Sequence, residues 1–343
     1  MGAEAGSLSA NVYRFAIRAM NPLKIFCDAP LTDSAMRLLR EGVAPHEIVL
    51  PQKPAASVLA KSEFDPAFST ADIAFGQPNL ANVQQAEKLR WMQLSSAGYT
   101  RYDTAEFRAW AAGRGLIVTN SSGVYAEPCA EHLFALMMAR ARRLPEAFKS
   151  RDWSGTPPWE RLRNSCATLR GQCAVILGFG SIAAQLAKML APFGMRIIAL
   201  RRKPRGDEGV EIVTPDRLAE AFAVADHVVN ILPENADSVG FINAARIAWM
   251  KPGAAFYNIG RGATVDQEAL LDALRSGHLD SAWLDVAYPE PLPEDHPLLG
   301  APNCHITPHI AGGHHDEAGT QARHFLTNFR RFLEGAPLLD RIM

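Results

Sequence analysis

A chain of 343 residues is about twice the length of an average domain, so its length predicts two domains rather than one small module. Its composition, with 48% hydrophobic and 21% charged residues, is that of an ordinary globular protein and excludes the disordered, collagen-like and disulfide-scaffold classes. Lysine and arginine total 35 and aspartate and glutamate 36, so no global charge would attract the protein to nucleic acid or to an anionic membrane.

The first part of the chain alternates short apolar runs with longer amphipathic runs. After an N-terminal extension over residues 1–22, the predicted elements are strands at 23–30, 71–78, 90–96 and 116–122 and helices at 32–42, 79–89 and 102–115. Gly42 is predicted to close the first of these helices. This alternation is typical of an open, mostly parallel sheet with helices on both faces.

The second part begins with a long predicted helix at 127–148 and a loop that contains Trp153, Pro157 and Trp159. A stronger alternation follows, with strands predicted at 172–180, 195–201, 226–233, 253–260 and 281–287 and helices at 181–194, 215–225, 243–250 and 266–277. The predicted fold class is therefore α/β, with two doubly wound parallel-sheet domains.

The cysteines and the lengths of the apolar runs indicate the cellular compartment of the protein. The five cysteines are an odd number and form no C-x-x-C pair, so neither a disulfide framework nor a metal site is indicated. The longest apolar stretches fall short of the about 18 residues that a membrane-spanning helix requires. The N-terminus has no uninterrupted apolar segment of the kind that directs secretion. We expect a cytoplasmic protein without a membrane or nucleic-acid partner.

The clearest motif lies in AVILGFGSIAAQLA, where Gly178, Gly180 and Ala183 form a G-x-G-x-x-A turn between an apolar strand and a helix. Gly178 permits a tight turn, Gly180 lets the backbone approach a pyrophosphate, and Ala183 allows close packing of helix on strand. The helix N-terminus would offer N–H groups to the phosphates. A glycine-rich turn can also be only a turn, but the strand and helix on either side favour a Rossmann dinucleotide-binding domain.

The end of the next predicted strand indicates which dinucleotide binds. An NAD-binding unit usually places Asp or Glu there, whereas MRIIALRRKPR offers Arg201, Arg202, Lys203 and Arg205 and no carboxylate before Asp207. Arginine would pair with the 2′-phosphate of NADP(H). A solvated basic loop is the alternative. The sequence favours NADP(H) and leaves NAD(H) open.

Four motifs in a fixed order carry a family resemblance: VTNSSGVYAEPCAEHLFALMMARARRL, TLRGQCAVILGFGSIA, NILPENADSVGFINAARIAWMKPGAAFYNIGRG and LDVAYPEPLPEDHPLLGAPNCHITPHIAGG. They resemble the D-isomer-specific 2-hydroxyacid dehydrogenases, which include D-lactate, glyoxylate/hydroxypyruvate, formate and phosphoglycerate enzymes, and are similar to glyoxylate/hydroxypyruvate reductase-like, NADP-preferring members. The resemblance spans about residues 71–340. It implies an oxidoreductase that reversibly reduces a small 2-oxo acid to the D-2-hydroxy acid with hydride from nicotinamide C4.

The resemblance also implies a catalytic set. Arg261 matches the arginine that holds the substrate carboxylate and carbonyl oxygen, for which a planar guanidinium is suited. His309 matches the general acid/base, whose imidazole titrates nearest neutrality. Glu290 matches the acid that orients this histidine and stabilises the imidazolium. Without the resemblance, Arg261 and Glu290 would be interpreted as surface residues, and His132 is interpreted as a packing histidine.

Further contacts follow from the same match. The backbone amides of Ser96, Ala97 and Gly98 would bind the substrate carboxylate, although Thr100 stands where the family often has Asp. Asp285 matches the residue that holds the nicotinamide carboxamide, and it could equally cap the loop after its strand. The expected cofactor-binding residues are Gly178, Phe179, Gly180, Ser181, Ile182, Arg201, Arg202, Leu232, Pro233, Ile259 and Asp285. Substrate side-chain specificity is assigned to Phe75, Leu94 and Tyr99.

The implied organisation has a discontinuous, flavodoxin-like substrate domain at 23–124 and 308–343 and a dinucleotide-binding domain at 125–307. The resemblance also implies a homodimer. Trp153 and Trp159 are candidate interface anchors, residues of a neighbouring subunit's substrate pocket, or buried packing residues. A dinucleotide-sensing protein of the corepressor type, with the same fold, is the alternative function. An adenosylhomocysteinase-like dehydrogenase is disfavoured because Arg, Glu and His occur together with the surrounding motifs.

Overall fold

The computed structural model describes residues 21–53, 62–150 and 156–343. The chain divides into two compact units, one formed by Met1–Ser121 with Asp316–Met343 and the other by Ser122–His315. In the described ranges, no helix has the length and apolar character needed to cross a membrane. Most of the predicted N-terminal extension and Trp153 lie outside the described residues.

The first unit is built on a five-stranded parallel sheet. Its strands, in the spatial order β2-β1-β3-β4-β5, are β1 (Lys24–Cys27), β2 (Glu47–Val49), β3 (Ile73–Gly76), β4 (Trp91–Leu94) and β5 (Ile117–Thr119). Its helices are α1 (Asp33–Val43), α2 (Leu80–Gln85), α3 (Ala105–Arg114) and α11 (Glu317–Leu333). This is the flavodoxin-like strand order, in which ligands bind where the order reverses, at the carboxyl ends of β1 and β3.

Helix α11 belongs to this unit because its apolar face is buried there. The ring of Phe325 stacks on Phe75, with centroids 4.6 Å apart, and on Trp91, with centroids 5.0 Å apart. Gly42 lies inside α1 rather than at its end as predicted. A Cβ at Gly42 would lie 2.5 Å from Leu326 Cδ2, so the glycine serves the close approach of α1 and α11.

The second unit is built on a seven-stranded parallel sheet. Its strands, in the order β12-β11-β10-β9-β6-β7-β8, are β6 (Cys173–Leu177), β7 (Arg196–Leu200), β8 (Glu211–Val213), β9 (His227–Asn230), β10 (Ala254–Asn258), β11 (Leu279–Leu284) and β12 (Cys304–Ile306). Its helices are α4 (Ser122–Ala141), α5 (Leu144–Lys149), α6 (Pro157–Ser165), α7 (Ser181–Leu190), α8 (Leu218–Val224), α9 (Ala244–Ala248) and α10 (Gln267–Arg275). Counted from β6, this is the Rossmann order extended by one strand. The predicted fold class is confirmed.

The register of this sheet aligns the ends of its strands. Leu177, Leu200, Asn230, Asn258, Leu284 and Ile306 form one row of partners across six adjacent strands. Because the strands are parallel, the segments that follow these residues leave the sheet at one edge. The predicted cofactor and catalytic residues of the second unit lie in those segments.

Two predicted elements around 127–165 differ from the structure. The helix predicted at 127–148 is divided into α4 and α5, because Arg143 adopts a left-handed backbone with φ 51° and Pro145 starts a new first turn. Helix α6 begins at Pro157, where a loop was predicted, since proline is accepted in a first turn. Trp159 therefore lies on a helix.

Three strands were not predicted. Each of β2, β8 and β12 has three residues and forms one edge of its sheet. Each contains only two apolar residues together with a Glu or a His, whereas β5, which is equally short, continues the apolar run that begins at Leu116 and was predicted.

The observed unit boundaries differ from the predicted ones. Residues 122–124 and 308–315 belong to the second unit, whereas the sequence placed them in the first. The carboxylate of Asp285 accepts backbone N–H groups from 308–315, and a Cβ at Gly312 would lie 2.8 Å from Tyr125 Cδ1. These contacts tie the segment around His309 to the second unit.

Candidate active site

The glycine turn joins β6 to α7. Gly178 has a φ of 94°, which side chains rarely adopt, and its N–H donates to Leu200 O at 3.2 Å. Gly180 directly precedes α7, which no described side chain caps, and a Cβ at Gly180 would meet no described heavy atom within 4 Å. Within the described residues, the N-terminus of α7, which starts at Ser181 and Ile182, has no side-chain cap. A helix N-terminus of this kind fits the pyrophosphate of a dinucleotide.

The segments after β9 and β10 lie against each other beside this turn. A Cβ at Gly260 would lie 2.6 Å from Leu232 O, so only glycine fits there. The Leu232 side chain reaches within 3.6 Å of the position that a Cβ would take at Gly178. Pro233 continues this segment, and Ile259 is 8% exposed beside Gly260. The structure thus brings these predicted cofactor residues to the glycine turn.

Two buried asparagines hold the turn that carries Arg261. Asn230 Nδ2 donates to Asn258 Oδ1 at 3.0 Å and to Thr264 Oγ1 at 2.7 Å. Arg261 O accepts from Asn258 Nδ2 at 3.2 Å and from Thr264 Oγ1 at 2.6 Å. All three side chains are buried, so the network rigidifies the turn. None of them was predicted, although an asparagine at the end of an apolar strand could have been recognised in the sequence.

Arg261 is half-buried directly after β10. Its Nη1 donates to Gly260 O at 2.7 Å. Burial lowers the pKa of Arg261 from its ordinary value, and the carboxylates of Glu234 and Glu290 oppose that change. A guanidinium starts so far above neutrality that it stays charged. Arg261 is therefore a permanent cation held at the sheet edge.

His309 and Glu290 form a hydrogen-bonded pair in which Nδ1 and Oε1 are 2.5 Å apart. Their side chains are 29% and 42% exposed, so solvent and small molecules can reach them. His309 has a φ of 53°, and its N–H donates to Asp285 O at 3.0 Å. A Cβ at Gly262 would lie 2.0 Å from the carbonyl of Ala287, which places the segment leading to Glu290 against the Arg261 turn. Because Nδ1 donates to a carboxylate, Nε2 is the ring nitrogen left to exchange a proton.

Asp285 holds the loop that carries His309. Its carboxylate accepts from Thr307 Oγ1 at 2.6 Å and from the N–H groups of Ile310 and Ala311, both at 2.9 Å. The residue is 2% exposed. The sequence left two roles open for Asp285, holding the nicotinamide carboxamide or capping the loop after its strand. These hydrogen bonds are those of a residue that caps the loop.

Two residues of α4 lie next to this carboxylate. His132, which was interpreted as a packing histidine, makes polar contacts: its Nε2 is 3.3 Å from Thr307 Oγ1 and 3.8 Å from Asp285 Oδ1. Burial and the nearby Asp285 raise the pKa of the Cys129 thiol to about 12. Cys129 is therefore a neutral thiol near pH 7.

The basic segment after β7 is only partly arranged as predicted. Arg201 Nη1 donates to Phe179 O at 3.3 Å, which ties Arg201 to the glycine turn. Arg202 instead pairs with Asp237 at 2.6 Å on an open surface. The carboxylate of Glu208 returns to within 3.5 Å of Arg201. Glu208 was not predicted, because its approach depends on the fold of the loop.

In the first unit, the loop over Ser96, Ala97 and Gly98 follows β4. Ser96 Oγ accepts from Gln77 Nε2 at 2.7 Å and donates to Gly98 O at 2.6 Å, and Asn120 Nδ2 donates to Ala97 O at 2.7 Å. Within the described residues, these bonds use the carbonyl oxygens and the Ser96 hydroxyl, not the N–H groups of Ala97 and Gly98. The loop is thus held with amides suited to binding an anion.

A buried carboxylate supports this loop from the switch point between β1 and β3. Asp28 accepts from the N–H of Gln77 at 2.9 Å and from Ser62 Oγ at 2.5 Å. Burial raises the pKa of Asp28 to about 6. Gly76 has a φ of 140°, and a Cβ there would overlap Asp28 Oδ1. Asp28 was not predicted, although an acidic residue ending an apolar strand was a visible signal.

For two of the three residues predicted to set substrate specificity, the prediction is wrong. Phe75 and Leu94 are fully buried in the cores of the first unit, where Phe75 stacks on Phe325. Every residue of β3 and β4 is buried, because a central parallel strand is covered on both faces. Tyr99 is partly exposed beside the 96–98 loop, just before the short 3-10 turn at Thr100.

Comparison with known proteins gives the family. A family model described as D-isomer specific 2-hydroxyacid dehydrogenase, NAD binding domain, matches residues 134–311, just over half of the chain. The chain belongs to this family. A glyoxylate reductase of Korarchaeum cryptofilum is 35% identical over 257 residues, which are 74% of this chain and 75% of the relative.

Two further comparisons agree with the family assignment. A glyoxylate reductase/hydroxypyruvate reductase of Homo sapiens is 34% identical over 231 residues, 66% of this chain and 69% of the relative. The crystal structure of a D-isomer specific 2-hydroxyacid dehydrogenase from Xanthobacter autotrophicus, in complex with NADPH and MES, is 26% identical. It covers 94% of this chain and 98% of its own, with a TM-score of 0.75.

As a D-2-hydroxyacid dehydrogenase, the protein is an NAD(P)-dependent oxidoreductase that acts on a CH–OH group. The predicted family and enzyme class are confirmed. The relatives named as reductases do not favour the dinucleotide-sensing alternative.

Proposed function

We propose that this D-2-hydroxyacid dehydrogenase reduces a small 2-oxo acid, glyoxylate or hydroxypyruvate, to the D-2-hydroxy acid and prefers NADPH to NADH. The observation that carries the proposal is the His309–Glu290 pair at the sheet edge that also holds Arg261 and the glycine turn. Relatives named as glyoxylate reductase and glyoxylate reductase/hydroxypyruvate reductase support this substrate class.

Arg261 is the residue that binds the substrate anion in this proposal. Its planar guanidinium donates two parallel hydrogen bonds, which suits the carboxylate and carbonyl oxygens of a 2-oxo acid. Because the side chain is half-buried, its attraction for an anion is stronger than at an open surface. The turn network of Asn258 and Thr264 fixes the direction of approach.

His309 is the general acid and base. In reduction, Nε2 donates a proton to the carbonyl oxygen, and in oxidation it accepts the proton of the hydroxyl group. Glu290 at Nδ1 orients the ring and stabilises the imidazolium. The chemistry that a bound nicotinamide supplies is hydride transfer to or from the substrate carbon.

The remaining cofactor contacts follow the strand ends. Asp285 already accepts three hydrogen bonds and has capacity for a carboxamide N–H as a fourth. Arg201 and Arg202 pair with the 2′-phosphate of NADPH in this proposal. The residues that hold the pyrophosphate and the adenine side are Gly178, Phe179, Gly180, Ser181, Ile182, Leu232, Pro233 and Ile259.

The 96–98 loop is the proposed carboxylate-binding segment of the first unit. The N–H groups of the 96–98 loop bind the substrate carboxylate, and the Asp28–Gln77–Ser96 chain of hydrogen bonds keeps them in place. In this assignment the first unit is the substrate domain and the second is the dinucleotide-binding domain.

The test is an initial-rate screen of NADPH and NADH oxidation with glyoxylate, hydroxypyruvate, pyruvate, phenylpyruvate and 3-phosphohydroxypyruvate. We expect the highest kcat/KM with NADPH and one of the first two acids. Equal or higher rates with NADH would contradict the cofactor part, and no oxidation with any acid would contradict the function.

We also propose a cytoplasmic homodimer. In the part of the chain that the structure describes, the residues of α5 and α6 are partly buried or exposed, and Phe148 on α5 is 82% exposed. We assign Phe148 to the interface, since an exposed aromatic side chain can anchor a protein–protein contact. The five cysteines are free thiols, as a reducing compartment maintains them. Sedimentation should give twice the mass of one chain, and a monomer would contradict the proposal.

A further inference from the structure

The segment between β7 and β8 contains an anion site that its own carboxylate fills. The N–H of Arg205 donates to Glu208 Oε1 at 2.7 Å, and the N–H of Gly206 donates to Glu208 Oε2 at 2.8 Å. Arg201 Nη1 lies 3.5 Å from Glu208 Oε1. We call these two N–H groups and the Arg201 guanidinium the anion cup. Successive backbone N–H groups beside an arginine are a suitable site for carboxylates and phosphates alike.

The anion cup is tied to the dinucleotide turn. Arg201 directly follows β7, its Nη1 donates to Phe179 O at 3.3 Å, and its Nε donates to Lys203 O at 3.0 Å. The end of the second strand of a dinucleotide-binding unit is where the 2′ position of the adenosine ribose is bound. The cup therefore lies where a 2′-phosphate would be held.

Glu208 is well placed to compete for this cup. Its side chain is 3% exposed, whereas the adjacent Asp207 is exposed to solvent. The N–H bond from Arg205 holds the pKa of Glu208 below its usual range, so Glu208 is ionised near neutrality. A phosphate carries more charge and one more acceptor oxygen than a carboxylate, so it binds the same donors more strongly.

Resting on the proposed use of NADPH, we propose that Glu208 is an internal occupant of the 2′-phosphate subsite, which the 2′-phosphate displaces from the anion cup. When the ribose carries only a hydroxyl group, the carboxylate stays on Arg201 and on the N–H groups of Arg205 and Gly206. Glu208 thereby sets the strength of the preference for NADPH over NADH.

The test measures binding to the full chain by isothermal titration calorimetry. Its two main ligands, adenosine 2′,5′-bisphosphate and adenosine 5′-monophosphate, differ only in the 2′-phosphate. Glu208→Gln keeps the shape of the side chain and removes its charge. We expect it to lower the Kd of the bisphosphate by about tenfold. The Kd of the monophosphate should change by less than about twofold. Asp207→Asn is the matched control, since it removes the neighbouring charge outside the cup, and should leave both affinities within about twofold.

Each other outcome contradicts the inference in a recognisable way. Equal effects of Glu208→Gln and Asp207→Asn would mean that only long-range charge matters. Weaker bisphosphate binding in both Glu208→Gln and Glu208→Ala would mean that Glu208 shapes the loop for the ligand. Inorganic phosphate binding as tightly as the bisphosphate would mean a general anion site.

The test also separates this inference from the proposed function. If the wild-type chain prefers the bisphosphate and Glu208→Gln changes nothing, the inference fails and the use of NADPH stands. If the 2′-phosphate strengthens binding neither in the wild type nor in any variant, the inference about Glu208 and the proposed use of NADPH both fail.

Discussion

At the scale of residues, the proposed chemistry depends on which atoms of each side chain are not already hydrogen-bonded to neighbouring residues. Glu290 takes Nδ1 of His309, so proton transfer falls to Nε2. Both oxygens of Asp285 are used by the loop that carries His309, so Asp285 positions the acid/base residue. Among the described residues, Arg261 donates one side-chain hydrogen bond, to Gly260 O, and we assign its other donors to the substrate anion.

Replacing Glu290 tests this arrangement. Glu290→Gln keeps a hydrogen-bond acceptor near Nδ1 and removes the charge that stabilises the imidazolium. We expect kcat to fall by about 100-fold while the Kd of NADPH is unchanged. Initial rates and fluorescence titration measure the two quantities.

Glu294→Gln is the control, because Glu294 is an exposed carboxylate on the same loop. It should retain near-native kcat. Equal kcat values for the two variants would remove Glu290 from the mechanism.

At the scale of elements, the site is assembled by close backbone contacts between segments that follow adjacent strands. Gly260 allows the segment after β10 to touch Leu232, and Gly262 allows it to touch Ala287 on the segment after β11. The second contact sets the distance between the Arg261 turn and the segment that leads to Glu290.

Gly262→Ala should therefore damage stability and activity together. A Cβ there would lie 2.0 Å from backbone atoms of Ala287, so the segment must shift. We expect at least about 2 kcal/mol less unfolding free energy and a large loss of kcat/KM. Urea unfolding and initial rates check this.

Gly300→Ala is the matched control, since a Cβ at Gly300 would meet no described heavy atom within 4 Å. It should leave stability and activity near native. A Gly262→Ala variant that behaves in the same way would contradict the proposed contact.

Local patterns explain what could be predicted. The strand, glycine turn and helix around Gly178 are contiguous, so sequence alone was enough to find them. The three-residue edge strands β2, β8 and β12 have no such pattern. The contacts of Thr264 with Arg261 and of Glu208 with Arg201 depend on how loops return in space, and fully buried positions such as Phe75 depend on which faces of a sheet are covered.

At the scale of the whole molecule, both units follow the same rule, because each has its candidate site at the carboxyl edge of a parallel sheet. In the first unit this edge carries Asp28 and the 96–98 loop, and in the second it carries the glycine turn, Arg261 and His309. The cores of the two units differ in their buried titratable groups.

His227 makes the stability of the second unit sensitive to acid. It is fully buried, with Nδ1 3.0 Å from Tyr257 Oη and Nε2 2.6 Å from Gln172 Oε1. Burial lowers the pKa of His227 from 6.5 to about 3. Between these values the unfolded chain binds a proton that the folded chain does not, so this contribution to stability is lost as pH falls through that window.

We expect His227 to account for about 1.4 kcal/mol of unfolding free energy per pH unit within the window. Urea unfolding of wild type and His227→Gln at pH 5 and pH 7 measures it. The wild type should lose more stability than the variant on acidification. Equal losses in the two proteins would contradict the assignment. His314→Gln, in the 308–315 segment around His309, is the control and should lose as much stability as the wild type.

The most direct test of the central claim is the turnover of His309→Ala with NADPH and the best 2-oxo acid from the screen. The account predicts a fall in kcat of at least about 1,000-fold, with NADPH binding within about twofold of wild type, because His309 supplies the proton at Nε2. A His309→Ala variant with near-native kcat would contradict the account.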